Sequence, residues 1–394
     1  MTIFKNASLN RVSTFLLKKQ CVIAIYVILA VVAGFKQYHH HSYNNYLIFK
    51  YVYWHTTDLQ NLYNNYPEYL DSNHYGPLFS FFIAPFALLP DGLGMILWNV
   101  ANVSILLWGI YSLPLSINKR TIIAWICAHE ALTALLSFQF NITLTGTILL
   151  SFSYLLKKKE FQSAFFIALG TLIKLYGIVG LVFFFFTKRK LRFILGGLIA
   201  LSIFFVLPMA ISSPAFVIQS YQDWYLSLSH KNAINASLTS FQDISIMGMA
   251  RRITGNVSIP NAPFLLGGIV LFALPYLRIK QYQHLGFRLM LLASTLIFTV
   301  IFSSGSESPT YIIAFAGVAI WFIIQQQPKK MWVIALFIFA FILTSLSPTD
   351  VFPRPVKEFI RLYSLKALPC VIIWLTIIYQ MLKEDFESYL ITDK

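Results

Sequence analysis

Charge is what this sequence has least of. Only 11% of its 394 residues are Asp, Glu, Lys or Arg, against roughly 25% in soluble domains. That shortage excludes an ordinary soluble enzyme. With 57% hydrophobic residues and a mean hydropathy of +0.67, the chain reads as a polytopic membrane protein. Acidic groups are scarcer still, 15 against 30 Lys and Arg, for a net charge of +15. Such a balance can signal nucleic acid. In a membrane protein, however, basic residues gather in short cytoplasmic loops and set topology, so no nucleic-acid partner is expected. The three cysteines, Cys21, Cys127 and Cys370, lie inside apolar runs, which argues against a disulfide framework or a thiolate metal site. Three consecutive histidines, His39, His40 and His41, cannot all face one ion on regular backbone. Neither a metal nor a cofactor is expected.

What is present is a series of apolar runs. They fall near 21–37, 75–90, 93–113, 120–137, 141–157, 161–175, 176–187, 192–212, 263–279, 288–304, 308–325, 331–347 and 367–383. The first follows Lys18 and Lys19, but a long leader and the poor cleavage site "AVVAGFKQ" favour a retained signal anchor over a cleaved peptide. Basic groups recur at 119–120, 157–159, 188–192, 278–280, 329–330 and Lys383. All become cytoplasmic if 75–90, interrupted by Pro77, Pro85 and Pro90, enters and leaves on one side. The expected fold is therefore an all-α transmembrane helical bundle of about twelve crossings with both ends inside. A further crossing at 75–90 stays open.

This layout gives a tail at 1–20, a transmembrane module at 21–212 that includes an outer loop at 38–74, and an outer loop at 213–262. Transmembrane helices at 263–383 and a tail at 384–394 follow. Short outer turns fall at 304–308 and 348–366. The cytoplasmic loops leave no room for a soluble domain, so chemistry is expected on the extracytoplasmic face.

Candidate residues gather on that face. From Asn44 to Tyr75, nine aromatic side chains and two imidazoles alternate with amides and carboxylates, including Asp71. This is either an interfacial aromatic belt or a sugar platform. "SFQFNITLTG" sets Gln139 and Asn141 at the mouth of a helical hairpin, as interhelical amides or as substrate contacts. "GTLIKLYG" places Lys174 in an otherwise apolar stretch, either snorkelling or binding an anionic headgroup or phosphate. The stretch from His230 adds Asn235 and the pair Arg251 and Arg252, a surface amphipathic helix or a phosphate clamp. "FSSGSESPTYIIA" brings Glu307 to a tight turn between two helices, where a carboxylate can act as a base. His129 and Glu130, inside the membrane, are expected to link helices.

Taken together, these stretches resemble glycosyltransferase family 87, polytopic enzymes of GT-C type that use polyprenyl-phosphate sugars, typically mannose, outside the cytoplasm. "YGPLFSFFIAPFALLP" is similar to the family's tyrosine–proline segment, with Gly76 where proline is common. "FQFN" is similar to its glycine–glutamine–x–asparagine element, "LIKLYG" to its lysine hairpin and "NASL" to its asparagine–glutamine–serine loop. Two departures stand out. Asn45, followed by Tyr46, occupies the place of an aspartate that is the family's candidate base, and "GSESPTY" replaces a histidine-rich element.

The resemblance implies a hexosyltransferase in a bacterial inner membrane, with a polyprenyl-phosphate sugar donor and a glycolipid or glycan acceptor. Its site would face the periplasm among membrane lipids. On this reading Glu307, or Asp71, is the base. Lys174, Arg251 and Arg252 hold the donor phosphate, while Asn44, Asn45, Tyr46, Tyr75, Gln139, Asn141 and Asn235 contact sugar or acceptor. A lipid-linked sugar carrier and an inactive homologue are the alternatives.

The topology is directly testable. On a background without the native thiols, cysteines at Ser72 and Ser304 should react with impermeant reagents from outside, and one at Ser116 only from inside. The reverse pattern overturns the orientation.

Overall fold

The computed structural model describes residues 15–240 and 242–389, and these form helices joined by turns and loops, with no strand among the described residues. In chain order the α-helices are α1 (Lys19–His39), α2 (Asn44–Thr57), α3 (Phe79–Ala87), α4 (Asp91–Ser112), α5 (Ile117–Leu135) and α6 (Asn141–Leu156). Then follow α7 (Glu160–Ile173), α8 (Lys190–Val206), α9 (Pro214–Asn235), α10 (Ile246–Thr254), α11 (Ala262–Ala273) and α12 (Leu285–Ile301). The last are α13 (Tyr311–Ile324), α14 (Met331–Ala340), α15 (Arg354–Leu362) and α16 (Leu368–Lys383).

By length and composition, 4 helical spans among the described residues can cross a membrane alone: Lys19–His39, Asp91–Ser112, Lys190–Ile211 and Leu365–Lys383. Shorter apolar helices of 10–17 residues make up most of the remaining bundle. At 1.5 Å per residue, the 14 residues of α7 reach only about 21 Å, short of roughly 30 Å of hydrocarbon. The expectation of about twelve crossings therefore rests on hydropathy and charge placement rather than on helix length.

Helix starts follow local chemistry. Pro90 precedes α4, whose first-turn Asp91 suits the positive end of the helix dipole. Asp91 also receives Lys50 of α2 at 2.7 Å, which pins the two helices together. Ser213 and Ser245 cap α9 and α10 by accepting the backbone N–H of Phe216 and Gly248, at 3.3 and 3.1 Å.

Within 38–74 the expected loop is in part a helix. Residues 44–57 form α2, which buries the aromatic side chains of Tyr46 and Phe49. Phe49 meets Tyr75, Phe79 and Trp98 with ring centroids 5.0, 5.1 and 6.3 Å apart. Much of the aromatic richness of this stretch is therefore core. Likewise 213–262 holds α9 and α10.

His129 and Glu130 link helices as expected. His129 Nδ1 lies 3.0 Å from Ser345 Oγ, and the buried Glu130 takes Lys366 Nζ at 3.2 Å.

One hairpin positions the site. α7 ends at Lys174, whose φ/ψ of −144°/118° is extended, and a 3-10 helix, Leu175–Phe186, runs back against α7. The turn closes because Gly177 lies directly on Gly170: a Cβ at Gly177 would stand 2.3 Å from the Gly170 carbonyl carbon. Gly76 supports the apex from the other side. Its N–H donates to Ile173 O at 2.9 Å, and a Cβ there would stand 2.1 Å from Leu172 O. A proline at this position could not make that bond.

Backbone atoms cannot withdraw as a flexible side chain can, so Gly177→Ala should destabilise the protein by about 1–3 kcal/mol. Gly267 has open space where its Cβ would go, so Gly267→Ala should leave stability unchanged or slightly raised. Unfolding midpoints in detergent check the contrast, and equal midpoints would contradict this account of the hairpin.

Candidate active site

At the Lys174 apex lies a cavity of ≈ 260 Å³, walled by residues from five separate stretches of chain. Ligand pockets run from roughly 300 to 1,000 Å³, so this space suits one sugar ring better than an oligosaccharide. His74 and Tyr75 come from the segment before α3, Gln139 from the turn before α6, and Lys174 and Tyr176 from the hairpin. α9 contributes Trp224, Lys231 and Asn235, and the turn between α12 and α13 contributes Ser303, Glu307 and Thr310.

Lys174 is the cation at the centre of this arrangement. Its Nζ donates to Asn141 Oδ1 at 2.8 Å and stands 5.5 and 5.1 Å from the ring centroids of Tyr75 and Tyr176. All three contacts are with neutral groups. Asn141 Nδ2 donates in turn to Thr310 Oγ1 at 3.3 Å, and Thr310 Oγ1 also accepts the backbone N–H of Glu307 at 3.3 Å. The cation and the segment carrying the carboxylate are thus fixed relative to each other through Asn141. Among the described residues Glu307 forms no salt bridge.

The remaining wall is polar and oriented. Tyr75 donates to Gln139 Oε1 at 2.9 Å, and the Tyr176 and Ser303 hydroxyls lie 2.5 Å apart. Asn235 Nδ2 donates to Ser304 O at 3.1 Å. Its buried Oδ1 has no hydrogen-bond partner among the described residues, which suits it to accept from a hydroxyl in the cavity. Trp224 offers a flat face, held by its indole N–H on His74 O at 2.9 Å.

Asp71 lies next to this wall, not in it. Lys231 Nζ reaches it at 3.1 Å and His74 Nε2 at 3.8 Å, and its side chain is 51% exposed. The His74 imidazole, together with the Lys231 ammonium, holds its carboxyl well below the usual carboxylate range. A carboxylate so stabilised is a poor proton acceptor.

Of the residues singled out in the sequence, Glu307, Lys174, Tyr75, Gln139 and Asn235 meet in the cavity, and Asn141 stands behind it. Others lie elsewhere. Asn44 Nδ2 donates to Leu70 O at 2.8 Å, Asn45 Nδ2 to Ser137 O at 3.1 Å, and Tyr46 to Phe86 O at 2.9 Å. These bonds tether α2 and do not line the cavity. Arg251 is buried against Asp243 at 2.6 Å and also donates to Asn261 Oδ1. Arg252 donates to Leu238 O at 2.7 Å. Neither arginine reaches the cavity wall, because α10 turns both guanidiniums into the packing of the 236–261 segment.

Trp224, Tyr176 and Lys231 also line the cavity, although they are not among the residues singled out in the sequence. The mixture "QSYQDWYLSLSHK", aromatic and amide-rich within an otherwise apolar chain, is the signal that could have found the first and third.

None of the curated proteins matches this chain. The profile of glycosyltransferase family 87 matches residues 73–304, more than half of the sequence. The matched stretch holds most of the cavity wall, from His74 to Ser304, and stops just short of Glu307. By that match, and with its apolar helices, the chain belongs to glycosyltransferase family 87 and to its membrane-embedded glycosyltransferases.

Proposed function

We propose that this protein transfers a hexose, such as mannose, from a polyprenyl-phosphate donor to a glycolipid or glycan acceptor. The reaction takes place on the extracytoplasmic face of a bacterial inner membrane, with inversion at the anomeric carbon. The observation that carries this reading is the joint presence of Lys174 and Glu307 in one sugar-sized cavity, neither engaged in a salt bridge.

In this mechanism Glu307 takes the proton of the acceptor hydroxyl. The acceptor oxygen bonds to the anomeric carbon as the bond from that carbon to the phosphate oxygen breaks. The electron pair leaves with the lipid phosphate, which needs no general acid. Lys174 stabilises the charge that develops on the phosphate, and Lys231, at the rim, supports it. Tyr75 and Trp224 receive the apolar faces of the sugar, while Gln139 and Asn235 take its hydroxyls. Arg251 and Arg252, expected as phosphate ligands, are better read as supports of the outer segment, since both lie away from the cavity. Asp71 serves as a fixed counter-charge for Lys231.

A second reading, a catalytically inactive homologue, is favoured by one observation. Asn45 stands where the family pattern has an aspartate, and its amide bonds to Ser137 O.

Purified protein in nanodiscs, given radiolabelled polyprenyl-phosphate mannose, glucose or arabinose and an envelope lipid extract, separates these readings. Glu307→Gln should lower turnover by about 10²–10⁴ while donor binding persists. Lys174→Met should weaken donor binding more than acceptor binding, and Asp71→Asn should retain most turnover. Wild-type turnover in Glu307→Gln removes Glu307 as the base. No turnover by the natural protein together with activity in Asn45→Asp establishes the inactive homologue.

A further inference from the structure

On the other side of the turn that carries Glu307 lies a second, larger cavity of ≈ 530 Å³. Its walls come from α15, the chain before and after it, Ile244, and Ser308, the residue next to Glu307. Four basic side chains line it, Arg354, Lys357, Arg361 and Lys366, against one carboxylate, Glu358. In a chain with only 11% charged residues, this is a marked local excess of positive charge. Three hydroxyls, Ser308, Ser347 and Ser364, add hydrogen-bonding capacity. At its floor Lys366 Nζ donates to Ser308 Oγ at 2.9 Å and to both Glu130 oxygens at 3.2 Å.

The helix above this cavity has two faces. Arg354, Lys357 and Arg361 recur at i, i+3 and i+7 and so share one side, the side that lines the cavity. Val356, Phe359 and Leu362 lie on the opposite side and are exposed by 41%, 56% and 49%. A short helix with exposed apolar residues on one face and Lys and Arg on the other lies in the plane of a membrane interface. There, the phosphates that meet its cationic face belong to lipids.

The two outer cations are engaged only at the surface. Lys357 pairs at 2.7 Å with Asp350, whose side chain is fully exposed, and Arg354 pairs at 2.8 Å with an exposed Glu358. Exposed ion pairs of this kind are weak, typically about 0–1 kcal/mol. A phosphate entering the cavity can therefore displace them.

We infer that this cavity is a binding site for the phosphate-bearing headgroup of an anionic membrane lipid, separate from the sugar cavity and joined to it by the Glu307–Ser308 segment. The acyl chains would follow the exposed Val356, Phe359 and Leu362 into the bilayer, while the headgroup phosphate lies among Arg354, Lys357 and Arg361. Lys366 and Ser308 form the floor beneath it. This inference stands on charge and helix amphipathicity and does not require the transfer reaction.

The full-length protein in neutral detergent can be titrated with phosphatidylglycerol, phosphatidylcholine or inorganic phosphate, and retained lipid counted by native mass spectrometry. Phosphatidylglycerol should be retained in preference to phosphatidylcholine. Lys357→Gln should lower that retention about fivefold, the effect of one basic residue at an anionic lipid surface. The Arg354→Gln/Lys357→Gln/Arg361→Gln variant should abolish the preference, and Lys174→Met, in the other cavity, should leave it intact. Should the triple variant fail to fold, Lys357→Gln alone decides, because its site is at the surface. Equal retention of the two lipids, wild-type retention by Lys357→Gln, or displacement by an equal concentration of inorganic phosphate would each overturn the assignment.

Discussion

A lysine in an apolar hairpin must find a partner, and the architecture around the sugar cavity follows from where Lys174 finds one. An ammonium at membrane depth is costly unless it is hydrogen-bonded or reaches water. Here the partner is the side-chain carbonyl of Asn141 at the start of α6, at 2.8 Å. Because Asn141 also donates to Thr310, one neutral amide joins the α7 hairpin, the start of α6 and the turn before α13. Gly177 and Gly76 allow the backbone to come close enough for these bonds to form.

The other intramembrane charges are treated differently. Glu130 and Lys366 are both buried and bonded to each other, with Ser308 completing the set. Removing one member of such a pair is far more damaging than removing both, because the survivor is left buried and uncompensated. Arg251 and Asp243 form a comparable pair at 2.6 Å in the outer segment. Both pairs hold the walls of the site from behind. Ile244 N–H, one residue from Asp243, donates to Ser306 O at 2.8 Å, and Ser308 lies directly after Glu307. The turn carrying Glu307 is thereby anchored from two sides.

How much of this was legible in the sequence depended on whether a residue was conspicuous or merely placed. The helical class, the Lys174 apex and the Glu307 turn were legible because a charge in a long apolar run has few destinations. α2 was not, since tyrosines that pack as a core and tyrosines that line a belt look alike until their partners are known. Phe49 found Tyr75, Phe79 and Trp98 only through folding. The arginine pair misled for a related reason. Two adjacent guanidiniums suggest an anion, but Asp243, eight residues before Arg251, was its partner. Lys366 was invisible because its partner Glu130 lies 236 residues away. Gly76 stood out as a departure from the family's proline, and its reason is the N–H that it supplies to Ile173.

A small cavity with a carboxylate and a buried ammonium in its wall would ordinarily collapse into an ion pair, and an ion pair would serve neither phosphate binding nor proton abstraction. The arrangement avoids this. Lys174 is satisfied by a neutral carbonyl and two aromatic faces, which steady the ammonium without cancelling its charge. The carboxylate that could have competed, Asp71, lies outside the cavity and is engaged by Lys231 of its rim. Glu307 and Thr310 form a capping box at the start of the helix that follows, with the backbone N–H of Glu307 held by Thr310 Oγ1, which fixes the turn that carries the carboxylate. An anionic phosphate can then meet Lys174 as its first full counter-charge, and a hydroxyl can meet a carboxylate whose charge is not already neutralised by a cation. Opposite charges that line one partly enclosed, low-dielectric space attract more strongly than they would in water. In the proposed displacement the acceptor hydroxyl and the lipid phosphate stand on opposite sides of one anomeric carbon, so base and cation need only flank that carbon, and the cavity's volume of ≈ 260 Å³ limits what lies between its walls to about one sugar ring.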